Sequence, residues 1–275
     1  MQNSLEERYE RFLREVPSGS TTYDGVTWQW YDQGQGPLAL VILPGAVGST
    51  DVFFVLFQEL QPHIRVIGLD LPFIEDAAAA ATQMETLLAS RGVEQAIFLG
   101  ASFSGLFVQA FARRYPHRTR ALILSHTGAL DPSRVEKQRA NARLVPRIPL
   151  PILRGLLQLV VRLLLRKTEG KRFWTARYDG ALAAITKQSL VSRYLLEASI
   201  EELGGPAWTG DVLIIHSGND AIAKPEQQAR LRQQYPGAQW VEFSGAGHSS
   251  YSRDPIAYAA AVRQFVSALI DRRAP

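Results

Sequence analysis

Short apolar runs, separated by polar turns and by longer stretches of helical period, give this chain its outline. Six such runs stand at residues 38–43, 64–69, 95–99, 121–125, 212–216 and 239–243. Most lack the strict alternation of a half-exposed strand, which is the pattern of short strands covered on both faces. Helix-like stretches at 51–60, 76–90, 103–115, 225–234 and 255–271 separate most of them. Ahead of this series, 5–15 reads as an amphipathic helix ended before Pro17. Asp24-Gly25 between the strand-like runs 21–23 and 26–31 reads as a two-residue hairpin, and Gly34-Gln35-Gly36-Pro37 as a turn. A leading antiparallel hairpin followed by alternating strands and helices predicts an α/β fold, a mostly parallel central sheet with helices on both faces.

One interval breaks the alternation. From about 131 to 205 nothing reads as a strand, and prolines at 146, 149 and 151 and a Gly204-Gly205-Pro206 stop punctuate apolar helical stretches. The pattern predicts a helical lid inserted after the sixth strand, with a core of 1–130 and 206–275 and a lid of 131–205. Leu153, Leu156, Leu157, Val160 and Val161 on the lid are expected to pack onto the core. There is no internal repeat and no low-complexity tract beyond the alanines at 77–81.

Composition narrows the chemistry. The 275 residues include no cysteine, which excludes disulfides, thiolate catalysis and cysteine–metal sites. The first ten residues are charged with mixed sign and have no apolar core, so they do not read as a secretory signal. No apolar stretch is long enough to span a bilayer, and the expected location is cytoplasmic. The net charge of +4 gathers in the lid. Twelve Lys or Arg lie between Asp131 and Gly180, against Asp131, Glu136, Glu169 and Asp179. Solvated helix faces account for this; contact with an anionic substrate tail, an acidic protein or a membrane surface is the sharper alternative. No recognisable nucleic-acid-binding module accompanies the charge.

Candidate chemistry sits at strand ends. Leu99-Gly100-Ala101-Ser102-Phe103-Ser104-Gly105 turns a predicted strand sharply into a predicted helix, with Ser102 at the apex. Gly100 leaves room for the turn, and a small residue at 104 lets helix and strand approach. A serine alcohol needs a base to take its proton and a carboxylate to hold that base in one tautomer. Asp220 follows the run at 212–216, and His248 sits in the glycine-rich loop after 239–243. Each alone also fits an ordinary loop residue; together they give Ser, Asp and His in order, each past the C-terminal end of a predicted strand, where open parallel sheets bind ligands. An oxyanion needs backbone donors. The N–H of Phe103 is one candidate, and the N–H of Ala46, in Pro44-Gly45-Ala46-Val47-Gly48, is the other. Gly45 and His126 are candidate pocket residues, with a structural role for His126 equally open. His216 is expected to pack beside the Asp220 turn, and His63 and His117 to lie at the surface. No metal-ligand cluster and no phosphate-cradling loop is present, so the chemistry calls for no cofactor and no metal.

On these residues the chain resembles the α/β-hydrolase family with a serine nucleophile. The resemblance implies a nucleophile elbow at Ser102, a triad of Ser102, Asp220 and His248, and a lid whose apolar faces roof an acyl pocket. Two positions depart from the family pattern. Ser104 stands where glycine is usual, and Pro44-Gly45 where many members have His-Gly. Tyr31-Asp32, Leu43-Pro44, Gly48, Asp51-Val52-Phe53-Phe54, Arg65-Val66-Ile67, Gly100-Ala101-Ser102 and Tyr235-Pro236-Gly237-Ala238 are similar to the maspardin-like branch. That branch implies an interaction protein with an incomplete triad, whereas here all three residue types are in place. The expected substrate is a small acyl compound, an ester or thioester. Its chain length and leaving group, and the oligomeric state, are not legible.

Overall fold

The computed structural model describes residues 4–36 and 38–272. Met1–Asn3 of the N-terminal reading and Pro37 of the turn at 34–37 lie outside the described residues. Helix α1 (Leu5–Glu15) begins at a capping box, in which the Glu7 amide donates to Ser4 Oγ at 3.2 Å and the Ser4 amide to Glu7 Oε2 at 3.0 Å. The hairpin β1 (Ser18–Tyr23) and β2 (Val26–Gln33) turns at Asp24-Gly25, both at positive φ. Then follow β3 (Leu38–Leu43), α2 (Phe54–Leu60), β4 (Arg65–Asp70), α3 (Ala77–Ser90), β5 (Gln95–Ala101), α4 (Phe103–Arg114) and β6 (Thr119–Ser125). Four helices come next, α5 (Val135–Leu144), α6 (Leu150–Leu164), α7 (Lys171–Ala184) and α8 (Lys187–Ser199). The chain ends with β7 (Asp211–His216), α9 (Pro225–Gln234), β8 (Gln239–Glu242), α10 (Ser250–Arg253) and α11 (Pro255–Asp271).

The eight strands form one sheet in the order β1-β2-β4-β3-β5-β6-β7-β8. β2 is antiparallel to β1 and β4; the other pairings are parallel. The central strands are buried on both faces, which explains their unbroken apolar runs. Val41, Phe98, Leu122 and Ile214 join a cluster with α3 and α4, while Leu40, Ile97, Ile123 and Leu213 join one with α1, α2 and α11. Register aligns the strand ends. Leu43 pairs with Gly100, Ala101 with Ser125, and Ile215 with both Ser125 and Val241. The loops after β3, β5, β6, β7 and β8 therefore emerge side by side along one edge.

Two elements differ from the sequence reading. The helix expected from Asp51 starts as a 3-10 turn, Thr50–Phe53, and becomes α-helical only at Phe54. Side chains hold that first turn: the Thr50 amide and hydroxyl both donate to Asp70 Oδ1 at 2.6 Å, and the hydroxyls of Tyr9 and Ser49 donate to Asp51. Burial pushes the Asp70 carboxyl up to about 6 against those Thr50 hydrogen bonds. On α6, Leu157 and Val161 turn inward as expected, but Leu156 and Val160 are exposed, 56% and 43%. Each neighbours an inward residue along the helix. No helix among the described residues is long and apolar enough to cross a membrane.

Gly68 of β4 makes room for Thr50. A Cβ there would lie 2.1 Å from Thr50 Cγ2 and 3.0 Å from Phe57 Cζ. Gly68→Ala is expected to lower stability by about 1–3 kcal/mol, read as a lower urea midpoint; an unchanged midpoint would contradict this packing.

Candidate active site

Ser102 sits between β5 and α4 at φ 53°, ψ −116°. This is strained backbone for a residue with a Cβ, costing about 1–3 kcal/mol. Sheet contacts hold it: the Ser102 amide donates to Ser125 O at 2.8 Å, and the Gly105 amide to Ser102 O at 3.0 Å. The turn has no spare volume. A Cβ on Gly100 would lie 2.7 Å from both Gly105 Cα and Ser104 O, and one on Gly105 would lie 2.6 Å from Thr127 Cβ. Ser104, the departure from glycine, is fully buried, and its hydroxyl donates to Pro44 O. The extra side chain ties the elbow helix to the loop after β3.

The turn after β7 places Asp220, 4% exposed, with Oδ1 accepting the amides of Ile222 at 2.8 Å and Ala223 at 2.9 Å. His248, in the loop after β8, bridges the two other groups. Its Nδ1 lies 2.8 Å from Asp220 Oδ2 and its Nε2 2.9 Å from Ser102 Oγ. Burial alone would raise the Asp220 pKa. Hydrogen bonds from His126 and His248 and from the Ile222 amide outweigh it and hold the carboxyl well below the usual carboxylate range. An ionised carboxylate only accepts, so His248 Nδ1 carries the proton and Nε2 presents a lone pair to the Ser102 hydroxyl.

His126 is the residue whose contacts the sequence did not reveal. It follows β6 directly, at φ 50°, and its amide donates to Ile215 O at 2.9 Å. Its Nδ1 lies 2.8 Å from Asp220 Oδ2 and its Nε2 2.7 Å from Ser250 Oγ. Two imidazoles therefore share one carboxylate, and Ser250 donates to the second. His126 also lines the cavity, together with Gly45. The signal available in the sequence was position alone: a histidine at the end of the strand beside β7, whose loop carries Asp220. His63 and His117 are exposed, as expected; His216 instead packs edge-on to Trp240 of β8, with ring centroids 5.1 Å apart.

Phe103 and the loop that bears Ala46 both adjoin Ser102. A Cβ on Gly45 would come 3.5 Å from Ser102 Cβ, so the loop bearing Ala46 runs against the elbow. Phe103 is the first residue of α4, where amides lack a partner within the helix. A cavity of about 470 Å³ opens over Ser102 and His248, walled by Val52, Phe53, Leu157, Val161, Leu164 and Tyr178, among others. The ligand atoms of His126, Asp220 and His248 lie within 4.8 Å of one another. A metal ion there would displace the Nδ1–H contacts that orient His248, so the arrangement suits proton transfer better than coordination.

Two outcomes follow from these contacts. Ser104→Ala leaves the buried Pro44 carbonyl without its donor and is expected to cost about 1–3 kcal/mol in urea unfolding, with a fall in kcat; unchanged stability and kcat would contradict the tie. Burial lowers the His126 pKa against the hydrogen bond with Asp220. A histidine held below its unfolded value of about 6.5 contributes stability that is intact above that value and lost as pH falls below it. The wild type is therefore expected to lose more stability between pH 7 and pH 5 than His126→Asn; equal losses would contradict a neutral, buried His126.

Several known proteins are similar to this chain. Two proteins named pimeloyl-[acyl-carrier protein] methyl ester esterase are similar along nearly their whole length. The one from Yersinia enterocolitica is 24% identical over 249 residues, covering 86% of this chain and 96% of that protein. The one from Cronobacter sakazakii is 25% identical over 258 residues, covering 89% and 96%. Among solved structures, a hydrolase from Pseudomonas aeruginosa superposes with a TM-score of 0.75 at 20% identity, covering 92% of this chain and 98% of the other. The enol-lactonase from Burkholderia xenovorans gives 0.74 at 18% identity, covering 90% and 100%. The family profile described as alpha/beta hydrolase fold matches residues 39–255, and with most of its length inside that match the chain belongs to the α/β-hydrolase family and is a hydrolase.

Proposed function

We propose that this hydrolase cleaves carboxylic esters, and thioesters by the same chemistry, through Ser102, His248 and Asp220. Ser102 Oγ attacks the carbonyl carbon while its proton passes to His248 Nε2. Asp220 holds the imidazole in the productive tautomer and stabilises its protonated form. The amides of Phe103 and Ala46 donate to the oxyanion. Collapse expels the alcohol, which takes the proton from His248 and leaves an acyl group on Ser102. Water then attacks that ester, passing its proton to His248 and from there to the departing Ser102 oxygen, and the acid is released. No cofactor takes part in these steps.

The observation that carries this reading is the position of His248, in hydrogen-bond contact with Ser102 on one side and Asp220 on the other. The relatives' names describe methyl ester esterases, which supports a small alcohol leaving group and a longer acyl side. The apolar cavity of about 470 Å³ supports the same division. A second cavity of about 780 Å³ shares Ala46, Val47 and Val52 with it, next to the loop that bears the Ala46 amide. In this reading 1–130 and 206–275 form the core and 131–205 the lid that roofs the acyl chain. The maspardin-like resemblance offers a second reading, a non-catalytic scaffold. A complete hydrogen-bonded triad argues against it, since such a scaffold has no use for one.

The test is a series of p-nitrophenyl esters from acetate to decanoate. kcat/KM is expected to rise with chain length through at least the hexanoate, by up to about fourfold per methylene, and Ser102→Ala to lose more than about a thousandfold. Equal rates along the series would contradict the acyl cavity. Absence of turnover on every ester would favour the scaffold.

A further inference from the structure

Helix α6 is apolar on two faces at once. Its inner face gives Leu157, Val161 and Leu164 to the catalytic cavity. Its outer face gives Ile152, Leu156, Leu159 and Leu163 to solvent, each more than half exposed. At 3.6 residues per turn these four fall within an arc of about 60° and span about 16 Å of helix. A surface helix of a globular protein carries polar residues on that side. In α6 the polar side chains are Arg154, Gln158 and Arg162, and Arg154 is spent on the carbonyls of Ala183 and Ile185. Leu144, at the end of α5, adds another large apolar side chain, 52% exposed.

Positive charge brackets this stripe along the chain. Residues 143–172 contain eight Arg or Lys and one acidic residue, Glu169. Arg143 and Arg147 precede α6, and Arg166, Lys167, Lys171 and Arg172 follow it. All six are exposed, and none makes an ion pair among the described residues, whereas Arg134 and Arg139, earlier in the lid, do.

We infer that the outer face of α6 docks on an anionic lipid surface. The leucines enter the boundary between headgroups and acyl chains, and the flanking arginines and lysines meet the lipid phosphates. At fifteen residues α6 is too short to span a bilayer, so it lies in the surface plane. Its inner face roofs the cavity over Ser102, so docking brings an ester dissolved in the bilayer to the opening of the site. Basic residues would suit an acidic protein as well as lipid phosphates. The large apolar side chains turned outward are what select lipid.

This inference goes beyond the proposed function, and its test needs no turnover. Purified protein is mixed with vesicles of phosphatidylcholine, with or without one third phosphatidylglycerol, and bound protein is separated by flotation. Wild type and Ser102→Ala are both expected to float with the anionic vesicles and to release with added salt. A triple variant, Leu156→Gln with Leu159→Gln and Leu163→Gln, is expected to lose at least tenfold in partitioning while keeping wild-type hydrolysis of a water-soluble acetate ester. Arg166→Glu with Lys167→Glu is expected to weaken binding to anionic vesicles. Failure to float with either vesicle would overturn the inference, as would unchanged flotation of the glutamine variant. A wild-type dimer that the glutamine variant converts to monomer, with no vesicle binding by either, would instead assign the stripe to a second copy of the chain. Salt-sensitive capture of an acidic protein that the glutamine variant retains, without flotation, would assign the basic residues to that partner. Loss of esterase activity with flotation intact would count against the proposed reaction and leave the docking surface standing.

Discussion

The Asp220 carboxylate is the constraint on which the site depends. It is almost fully buried, and the water it has lost is replaced by four donors: the amides of Ile222 and Ala223 and the Nδ1 of His126 and of His248. A buried carboxylate stays ionised only when its oxygens are satisfied in this way. Once ionised, it dictates the tautomer of both imidazoles. His248 is left with a lone pair aimed at Ser102, and His126 with a lone pair that Ser250 satisfies. One charge thus joins the loops after β6, β7 and β8 and the start of α10. Taking away any donor leaves charge uncompensated in a place water does not reach.

The same edge of the sheet stores local strain. Three non-glycine residues adopt positive φ among the described residues, and two of them, Ser102 and His126, stand in the site, each just past a central strand. Both are held by amide bonds to neighbouring strands, Ser102 to Ser125 and His126 to Ile215. The parallel register places the strained positions, and tight contacts at Gly100 and Gly105 keep them from relaxing. The candidate site is therefore concentrated where the backbone has least freedom, while the helices between β6 and β7 include outward apolar side chains.

The sequence carried the layered plan and singled out the serine, aspartate and histidine that the structure brings into contact, because both follow from short-range pattern. Buried strands read as apolar runs, and a serine, an aspartate and a histidine past successive strand ends read as a triad. What stayed hidden depends on side-chain partners far apart in the chain. Ser104 looked like a defect in the elbow; its hydroxyl in fact grips the carbonyl of Pro44, sixty residues away. His126 was placed near the pocket, yet nothing local to it reveals Asp220, ninety-four residues on. The early 3-10 turn at Thr50 depends on Asp70, which periodicity does not encode. Along α6 the helical period marked apolar positions correctly but could not separate a face covered by the core from one open to solvent, because both are made of leucine. The resemblance to maspardin-like proteins rested on scattered short matches in the core, while full-length similarity points to esterases.

The central claim is that an imidazole held by Asp220 makes Ser102 a nucleophile. Covalent trapping reads this most directly: the protein is treated with a fluorophosphonate, digested, and the modified peptide identified by mass spectrometry. The account predicts a single adduct on Ser102 that forms far more slowly in His248→Gln and Asp220→Asn. Modification of another serine, or of Ser102 at the same rate in all three proteins, would contradict it.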